Sequence, residues 1–320
     1  MRLTAILFIS VTLLSTTYAA TLEKRCHLRR EPITVKNGLD TVSVAGLEVP
    51  NQLFGAAYSV KGLDEDHFGF LGLGNYADGG NVRLSSSNSS SLTKRQSGGN
   101  GAFAPNAFQL GAQQGSAQFG FYTTSSSSGF YQKRNNDEHN GEFIIGGIDH
   151  NVYKGGIAYF KLPTCDYGDS PYWKTELKCV KLGNKIDVKL APKTLASFST
   201  GTSRMLAPSH QADLLHAALD AHYDEDEDVY KIDCCEDLSK FPDLKFDFNG
   251  YRITLPPKAY LKKDNDKQCH SLIGRNTDDK NWILGGYFSQ WFYQVYDASN
   301  SQIGLALTKG ESDVKIDKLH

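Results

Sequence analysis

The sequence predicts an all-β protein, because alternation with a period of two dominates its second half. Apolar and polar residues alternate over residues 172–182 and 186–190, as in strands with one buried face. Two further alternating stretches, Leu244–Phe248 and Tyr251–Leu255, are separated only by Asn249-Gly250. Asn-Gly supplies the positive φ that a type I′ turn requires, so these two stretches predict a β-hairpin.

The first half of the chain has weaker strand signals and a long low-complexity segment. Residues 39–75 are expected to be rich in strands, and residues 143–147 predict a buried strand that ends in a Gly-Gly turn. Residues 77–105 are dominated by Gly, Ser and Asn, which bury too little apolar surface to order a chain. This predicted Ser/Gly-rich loop carries an N-glycosylation sequon at Asn88.

One helix is predicted, over about residues 209–223. Ser209 is a candidate N-cap, and four residues form the apolar stripe: Leu214, Leu215, Ala218 and Leu219. The acidic run at residues 224–228 follows. It predicts a solvated loop rather than a cation site, because consecutive carboxylates lack the spaced ligands and turn glycine of a calcium loop.

Composition and the first residues indicate an exported globular protein. The chain has 320 residues, 40% of them hydrophobic and 22% charged, with a formal net charge of -2. This near-neutral balance gives no reason to expect nucleic acid or an anionic membrane surface as a partner. Residues 1–20 combine Arg2, a short apolar run and a small-residue end at Ala19-Ala20, which predicts a cleaved signal peptide. The mature protein is therefore expected to be secreted, without a membrane anchor.

The most informative motif is the stretch at residues 198–203, Phe-Ser-Thr-Gly-Thr-Ser, taken together with Trp-Ile-Leu-Gly at residues 282–285. Glycine permits a tight turn, and the flanking hydroxyls hold such a loop by local hydrogen bonds. This pair of segments resembles the second active-site turn of the pepsin-like aspartic proteases. In that family a catalytic aspartate stands where this chain has Ser199.

The resemblance to the pepsin-like family covers about residues 38–307. Phe68 and Gly286 stand where the family has acidic residues. The matching segments are Asp40 to Gly46, Gln52 to Gly55, Gly69 to Gly74, Phe121-Tyr122, Ile145 to Asp149, Tyr172 to Leu177, Trp282 to Gly285, Phe292 to Asp297 and Ile303 to Ala306. The resemblance implies a pepsin-like bilobal acid-protease fold.

The family's first Asp-Thr-Gly motif and its flap would lie upstream of Asp40, where this chain has too few residues for them. The resemblance therefore implies an incomplete N-terminal lobe. We expect a partial N-terminal lobe at residues 21–150, a C-terminal lobe at residues 151–307 and a polar tail at residues 308–320.

The chemistry implied by the resemblance requires two carboxylates that share one proton. Ser199 cannot replace a carboxylate as a general base, so no catalytic residue is expected to be intact. The substrate cleft implied by the resemblance is lined by Tyr172, Thr200, Gly201, Thr202 and Ile283, with a peptide or protein segment as the expected partner. No metal and no cofactor are expected.

Two functional hypotheses follow from these observations. The first is a secreted pseudo-protease of the pepsin-like family that binds peptides without cleaving them. The alternative is a defective or incomplete product of a gene for an active aspartic-type endopeptidase. Whether the chain is an enzyme at all stays open at this point, although inactivity is the expectation.

Six cysteines in an exported chain predict disulfide pairing. The family resemblance implies a disulfide between Cys235 and Cys269, with Cys234 as the rival of Cys235. The partners of Cys26, Cys165, Cys179 and Cys234 stay open, and a bond between Cys165 and Cys179 is doubtful. Two dibasic pairs, which end at Arg25 and Arg95, resemble processing sites of the secretory route.

Overall fold

A computed structural model describes the chain in segments that group into two compact units, one before residue 118 and one from Gln118 onward. Several predictions lie outside these segments: the signal peptide at residues 1–20, the processing sites at Arg25 and Arg95, Asn88 and Tyr172. The described residues are 35–44, 47–57, 71–74, 103–111, 117–123, 141–163, 173–265, 267–309 and 313–319.

The first unit contains an antiparallel hairpin and a short helix. Strand β1 (Val35–Val44) pairs with β2 (Leu47–Ala57), and the register shifts between Asp40 and Val42. Helix α1 (Phe103–Gly111) begins in the last residues of the predicted Ser/Gly-rich loop, and the sequence pattern had not predicted it.

Helix α1 is fastened to the first unit by two hydrogen bonds. The Phe103 amide donates to the Gly72 carbonyl at 2.9 Å, and Asn106 Nδ2 donates to Gln52 Oε1 at 2.8 Å. Among the described residues of this unit, five hydrophobic side chains are buried: Val49, Leu73, Phe103, Ala104 and Ala107.

A five-stranded antiparallel sheet opens the second unit, in the order β4-β3-β18-β19-β5. Sheet pairing therefore joins residues 118–123 and 141–145 to the second unit, whereas the predicted boundary between the two lobes lay at residue 150. The reason is that β3 hydrogen-bonds directly to β18, a strand near the end of the chain. The strands are β3 (Gln118–Thr123), β4 (Gly141–Ile145), β5 (Tyr153–Lys161), β18 (Phe292–Asp297) and β19 (Gln302–Thr308).

Aromatic rings line both faces of this five-stranded sheet. On one face Phe119 stacks on Tyr296 with ring centroids 4.5 Å apart, and on the other Tyr153 stacks on Tyr293 at 5.3 Å. Gly120 makes room for Tyr293, since a Cβ at Gly120 would lie 2.0 Å from the Tyr293 hydroxyl.

The largest sheet of the second unit follows the order β16-β9-β17-β8-β6-β12-β13-β20, and β7 pairs with β6. Two of its contacts are parallel, β17 with β8 and β16 with β9. The strands are β6 (Lys174–Leu182), β7 (Ile186–Val188), β8 (Leu195–Phe198), β9 (Met205–Pro208), β12 (Leu244–Phe248), β13 (Tyr251–Leu255), β16 (Ile273–Asn276), β17 (Trp282–Leu284) and β20 (Lys315–Lys318).

The predicted hairpin is confirmed, but its turn type is not. Strands β12 and β13 pair antiparallel, with Phe248 opposite Tyr251. Only Gly250 has a positive φ, of 83°, so the turn is not type I′, which requires a positive φ at Asn249 as well. The polar tail predicted from residue 308 also contains β20, because residues 315–318 complete the sheet beside β13.

A four-stranded sheet in the order β10-β11-β15-β14 carries the disulfide between Cys235 and Cys269 that the family resemblance implied. Both cysteines are fully buried, and their Cα atoms lie 5.8 Å apart. Cys234 is exposed and free. The strands of this four-stranded sheet are β10 (His222–Asp224), β11 (Val229–Ile232), β14 (Leu261–Lys263) and β15 (Cys269–Ser271).

Cys179 is a free thiol, so the structure does not form a bond between Cys179 and Cys165, which lies outside the described residues. The thiol donates to Asp187 Oδ1 at 3.0 Å. Burial, reinforced by this bond, raises the pKa of Cys179 to about 12. The thiolate form is therefore disfavoured, and with it disulfide exchange.

The predicted helix is shorter than expected. Helix α2 (Ser209–Ala217) ends before residues 222 and 223, because β10 takes these residues into its pairing with β11. Ser209 is not the N-cap, since its hydroxyl donates to the Asn276 carbonyl at 3.2 Å. Leu214, placed in the apolar stripe, is 44% exposed. The buried residues of the helix are Gln211, Ala212, Leu215 and His216.

Candidate functional site

The predicted active-site turn joins β8 to β9, and β17 lies between these two strands in the sheet. Strand β17 runs parallel to β8, with Leu284 opposite Phe198, and touches β9 at Ile283 opposite Leu206. The amide of Ser199 donates to the Leu284 carbonyl at 3.0 Å. The two motifs that the sequence singled out, which begin 84 positions apart at Phe198 and Trp282, are thus neighbours in space.

Ser199 sits at the start of the turn with only 7% of its surface exposed. Its Oγ lies 3.1 Å from the Thr202 hydroxyl, and either oxygen can be the donor. A hydroxyl paired with a hydroxyl has no proton acceptor strong enough to activate it, so this contact supports neither a general base nor a nucleophile.

Gly285 locks the turn against β17. A Cβ at Gly285 would lie 2.2 Å from the Arg204 carbonyl oxygen and 2.3 Å from that of Thr202, distances that no side chain tolerates. The Gly286 amide donates to the Thr202 carbonyl at 2.6 Å, and Tyr287 N donates to the Ser203 carbonyl at 2.9 Å. The turn is therefore held by backbone contacts that do not depend on the side chain at position 199.

Four of the five predicted cleft residues lie in the described segments. Thr200 and Thr202 are half-buried, Gly201 is exposed, and Ile283 is half-buried on the adjacent strand. Tyr172 lies outside the described residues. Ile283 pairs with Ser197 and Leu206, the residues that lie on either side of the turn.

Three further residues that the sequence analysis missed are aligned with Ile283 across the sheet. Strand pairing aligns Lys174 with Ser197, Ser197 with Ile283, and Ile283 with Leu206. We call Lys174, Ser197, Ile283 and Leu206 the transverse row, because it crosses four neighbouring strands of the sheet. Alternation along each strand was visible in the sequence, but the register that aligns four strands was not.

All four members of the transverse row are half-buried, while their neighbours along each strand are buried. The row is therefore a strip of one sheet face that remains accessible. Ser197, the member of the row on β8, lies two residues before Ser199, a distance of about 7 Å in an extended chain. The buried flanking residues are Trp173, Thr175, Ala196, Phe198, Trp282, Leu284, Met205 and Ala207.

A charged cluster fastens the end of the turn to the β10–β11 hairpin. Arg204 Nη2 donates to Asp228 Oδ2 at 2.8 Å. Arg275 Nη2 donates to Asp213 Oδ1 at 2.7 Å, and the Arg275 guanidinium lies 3.6 Å from the centroid of the Tyr223 ring. The acidic run at residues 224–228 therefore supplies ion-pair partners at a hairpin turn.

No group of three or more His, Cys, Asp or Glu side chains is arranged to hold a metal ion in the part of the chain that the structure describes. Within the same residues, no helix has both the length and the apolar character needed to cross a bilayer.

Comparison with known proteins identifies the family. The sequence model of the family described as eukaryotic aspartyl protease matches residues 33–308. The chain belongs to this family. Similar proteins include pregnancy-associated glycoprotein 1 of Ovis aries, 29% identical over 271 residues, which covers 83% of this chain and 61% of the relative.

Two further relatives give the same result. Pepsin A of Gallus gallus is 29% identical over 274 residues, with 84% of this chain and 64% of the relative covered. Gastricsin of Mus musculus is 26% identical over 276 residues, with 84% and 62% covered. The chain therefore spans about three fifths of the length of these relatives.

Proposed function

We propose that this chain is a secreted, peptide-binding member of the eukaryotic aspartyl protease family that does not cleave peptides at the Ser199 turn. The observation that carries the proposal is the local geometry of Ser199. The turn is held in place by Gly285 and by backbone hydrogen bonds, yet its side chain is a buried hydroxyl bonded to Thr202.

The physical reason lies in the protonation chemistry of the family. Aspartic proteolysis uses two carboxylates whose proximity makes them share one proton, one as base toward water and the other as acid. A serine hydroxyl remains protonated throughout the acidic range in which that pair works. The turn therefore lacks the group that takes the proton from water.

Peptide binding is supported by what the turn retains. Gly201 is exposed and Thr200 is half-buried, in a turn whose flanking residues Ser197 and Leu206 pair with the half-buried Ile283. Polar groups beside apolar side chains are the usual composition of peptide and small-molecule clefts. Extended peptides are held mainly through their main chain, so the loss of a carboxylate does not remove this capacity.

The test is a paired assay on the purified full chain. Denatured globin is incubated at about pH 3–5, the range of a shared-proton pair, with active pepsin as the positive control. We expect no cleavage by the unmodified chain or by Ser199→Asp, since one added carboxylate does not make a pair. Binding is measured in parallel as the fluorescence anisotropy of labelled octapeptides.

Turnover of globin by the unmodified chain that pepstatin inhibits would refute the proposed inactivity. Absence of binding across the octapeptide library would refute the peptide-binding role. The two halves of the proposal are therefore tested separately.

A further inference from the structure

We propose that the transverse row selects peptide segments that carry a carboxylate, and that Lys174 is the residue that recognises it. This inference rests on the proposed peptide binding and adds a substrate class to it. Ile283 and Leu206 supply an aliphatic surface at one end of the row, and Lys174 supplies the only charge within it.

The spacing of the row suits an extended peptide. Adjacent strands lie about 4.8 Å apart, so the row positions of Ile283 and Lys174 are roughly 10 Å apart. Side chains two residues apart in an extended peptide are separated by about 7 Å, and a lysine side chain reaches over the remainder. An aliphatic side chain on Ile283 thus places a carboxylate two residues away within reach of the Lys174 ammonium.

The carboxylates near Lys174 have other partners. Glu176 lies on the same face two residues along β6 and forms a salt bridge with Lys178, with 2.7 Å between Glu176 Oε2 and Lys178 Nζ. Asp278 contributes a long-range attraction to Lys174, but its own oxygens accept from Lys280 N at 2.8 Å and Asn281 Nδ2 at 2.9 Å. Among the described residues, no carboxylate lies within ion-pair distance of the Lys174 ammonium.

Burial adds to the case for an anionic ligand. Desolvation lowers the pKa of Lys174, and the field of Asp278 offsets this only in part. A half-buried cation without a contact partner gains more from an incoming carboxylate than an exposed lysine does, since the dielectric around it is lower. Charge complementarity therefore points to an acidic segment rather than a neutral or basic one.

The experiment uses the purified full chain and fluorescein-labelled octapeptides in a positional-scanning library. One position at a time carries Asp, Asn, Lys or Leu, so each acid is compared with its isosteric amide. A second set has free or amidated C-termini and separates a side-chain carboxylate from a terminal one. We expect Asp over Asn at one position two residues from an aliphatic residue, by about tenfold, the usual scale for a charge-assisted hydrogen bond.

Variants then assign the preference to Lys174. Lys174→Met should abolish it by weakening the Asp peptide about tenfold while leaving the Asn peptide unchanged. Lys174→Glu should invert it toward the Lys peptide. Lys189→Met is the matched control, because Lys189 is exposed and outside the row, and it should keep the preference. Thermal melts check that each variant is folded.

Each outcome decides the matter. Peptides that bind without any acid preference, or a preference that survives in Lys174→Met, would overturn the role of Lys174 and leave peptide binding intact. A preference confined to peptides with a free C-terminus would assign the ligand as a terminal carboxylate. No binding by any peptide would overturn the proposed function and this inference together.

Discussion

Acid should weaken the second unit through one buried histidine, His216 on α2. Its side chain is 1% exposed, and its Nδ1–H donates to the Ala212 carbonyl at 2.7 Å. The imidazole stacks on Tyr230 with ring centroids 3.6 Å apart. The second ring nitrogen, Nε2, is buried without a hydrogen-bond partner. Protonation would therefore place an unsolvated charge inside this contact.

The size of the effect follows from the pKa of His216. Burial lowers the pKa of His216 from 6.5 to about 4. The negative charge of Asp213 raises this pKa and the positive charge of Arg275 lowers it, and both effects are smaller than that of burial. In the unfolded chain this histidine takes up a proton near pH 6.5, so the stabilising contribution of neutral His216 is fully present above that pH. This contribution is lost as the pH falls toward 4. At 1.36 kcal/mol per pH unit, the gap between 6.5 and about 4 corresponds to about 3 kcal/mol.

His216→Phe is the perturbation that isolates this contribution, because a phenyl ring keeps the stacking on Tyr230 and cannot be protonated. Urea unfolding at pH 7 and at pH 4.5 gives the loss of unfolding free energy on acidification. We expect the unmodified chain to lose about 2.5 kcal/mol more than the variant over this interval.

The control is His210→Phe, the same substitution at an exposed position of the same helix. It should leave the pH dependence unchanged. If His216→Phe shows the same loss on acidification as the unmodified chain, the buried imidazole is not the acid-sensitive group and the reasoning fails.

Two further predictions concern the rigidity of the second unit. Gly285→Ala should lower the unfolding free energy by about 3 kcal/mol, because the added methyl group meets two carbonyl oxygens of the Ser199 turn. Gly147→Ala is the control and should change the unfolding free energy little, since a Cβ at Gly147 has nothing within 4 Å. Urea unfolding of both variants checks this. Cys235→Ser should cost about 2–4 kcal/mol, since it opens the loop of 34 residues closed with Cys269, and peptide mapping without reduction that finds Cys269 free would contradict the pairing.

Local signals in the sequence predicted elements well where the chain closes on its immediate neighbours. The hairpin of β12 and β13 was predictable because Asn249-Gly250 leaves only two residues for the turn. Its turn type was not, since β12 also pairs with β6 and its register shifts next to Phe248. Strand pairing also explains why α2 is shorter than predicted. Residues 222 and 223 were predicted to be helical, but they belong to β10, which pairs with β11.

The candidate site shows the limit of sequence reasoning more clearly. The turn at Ser199 was recognisable from its own residues, and so was its partner segment ending at Gly285. The transverse row could not be recognised from the sequence. Lys174 and Leu206 are aligned with Ile283 only because strands that are distant in sequence pair with each other. Pairing between distant strands depends on the whole sheet, so no local pattern encodes it.

Ser199→Asp tests how far the turn itself is still suited to a carboxylate. The contacts that hold the turn come from the backbone and from Gly285, so the substitution should leave its geometry intact. The position is 7% exposed, and burial raises the pKa of a carboxyl group. A carboxyl with a raised folded pKa is tolerated when protonated and destabilises the fold as pH rises above its unfolded value near 4.

We therefore expect Ser199→Asp to lower the unfolding free energy at pH 7 and much less at pH 4, with urea unfolding as the measurement. Ser199→Asn is the matched control, because it adds an amide of the same shape that does not titrate. If Ser199→Asp lowers the unfolding free energy by the same amount at both pH values, each time relative to the unmodified chain, this expectation is contradicted. That result would mean that Thr202 and nearby amides satisfy an ionised carboxylate, so that this turn lacks only the acid itself.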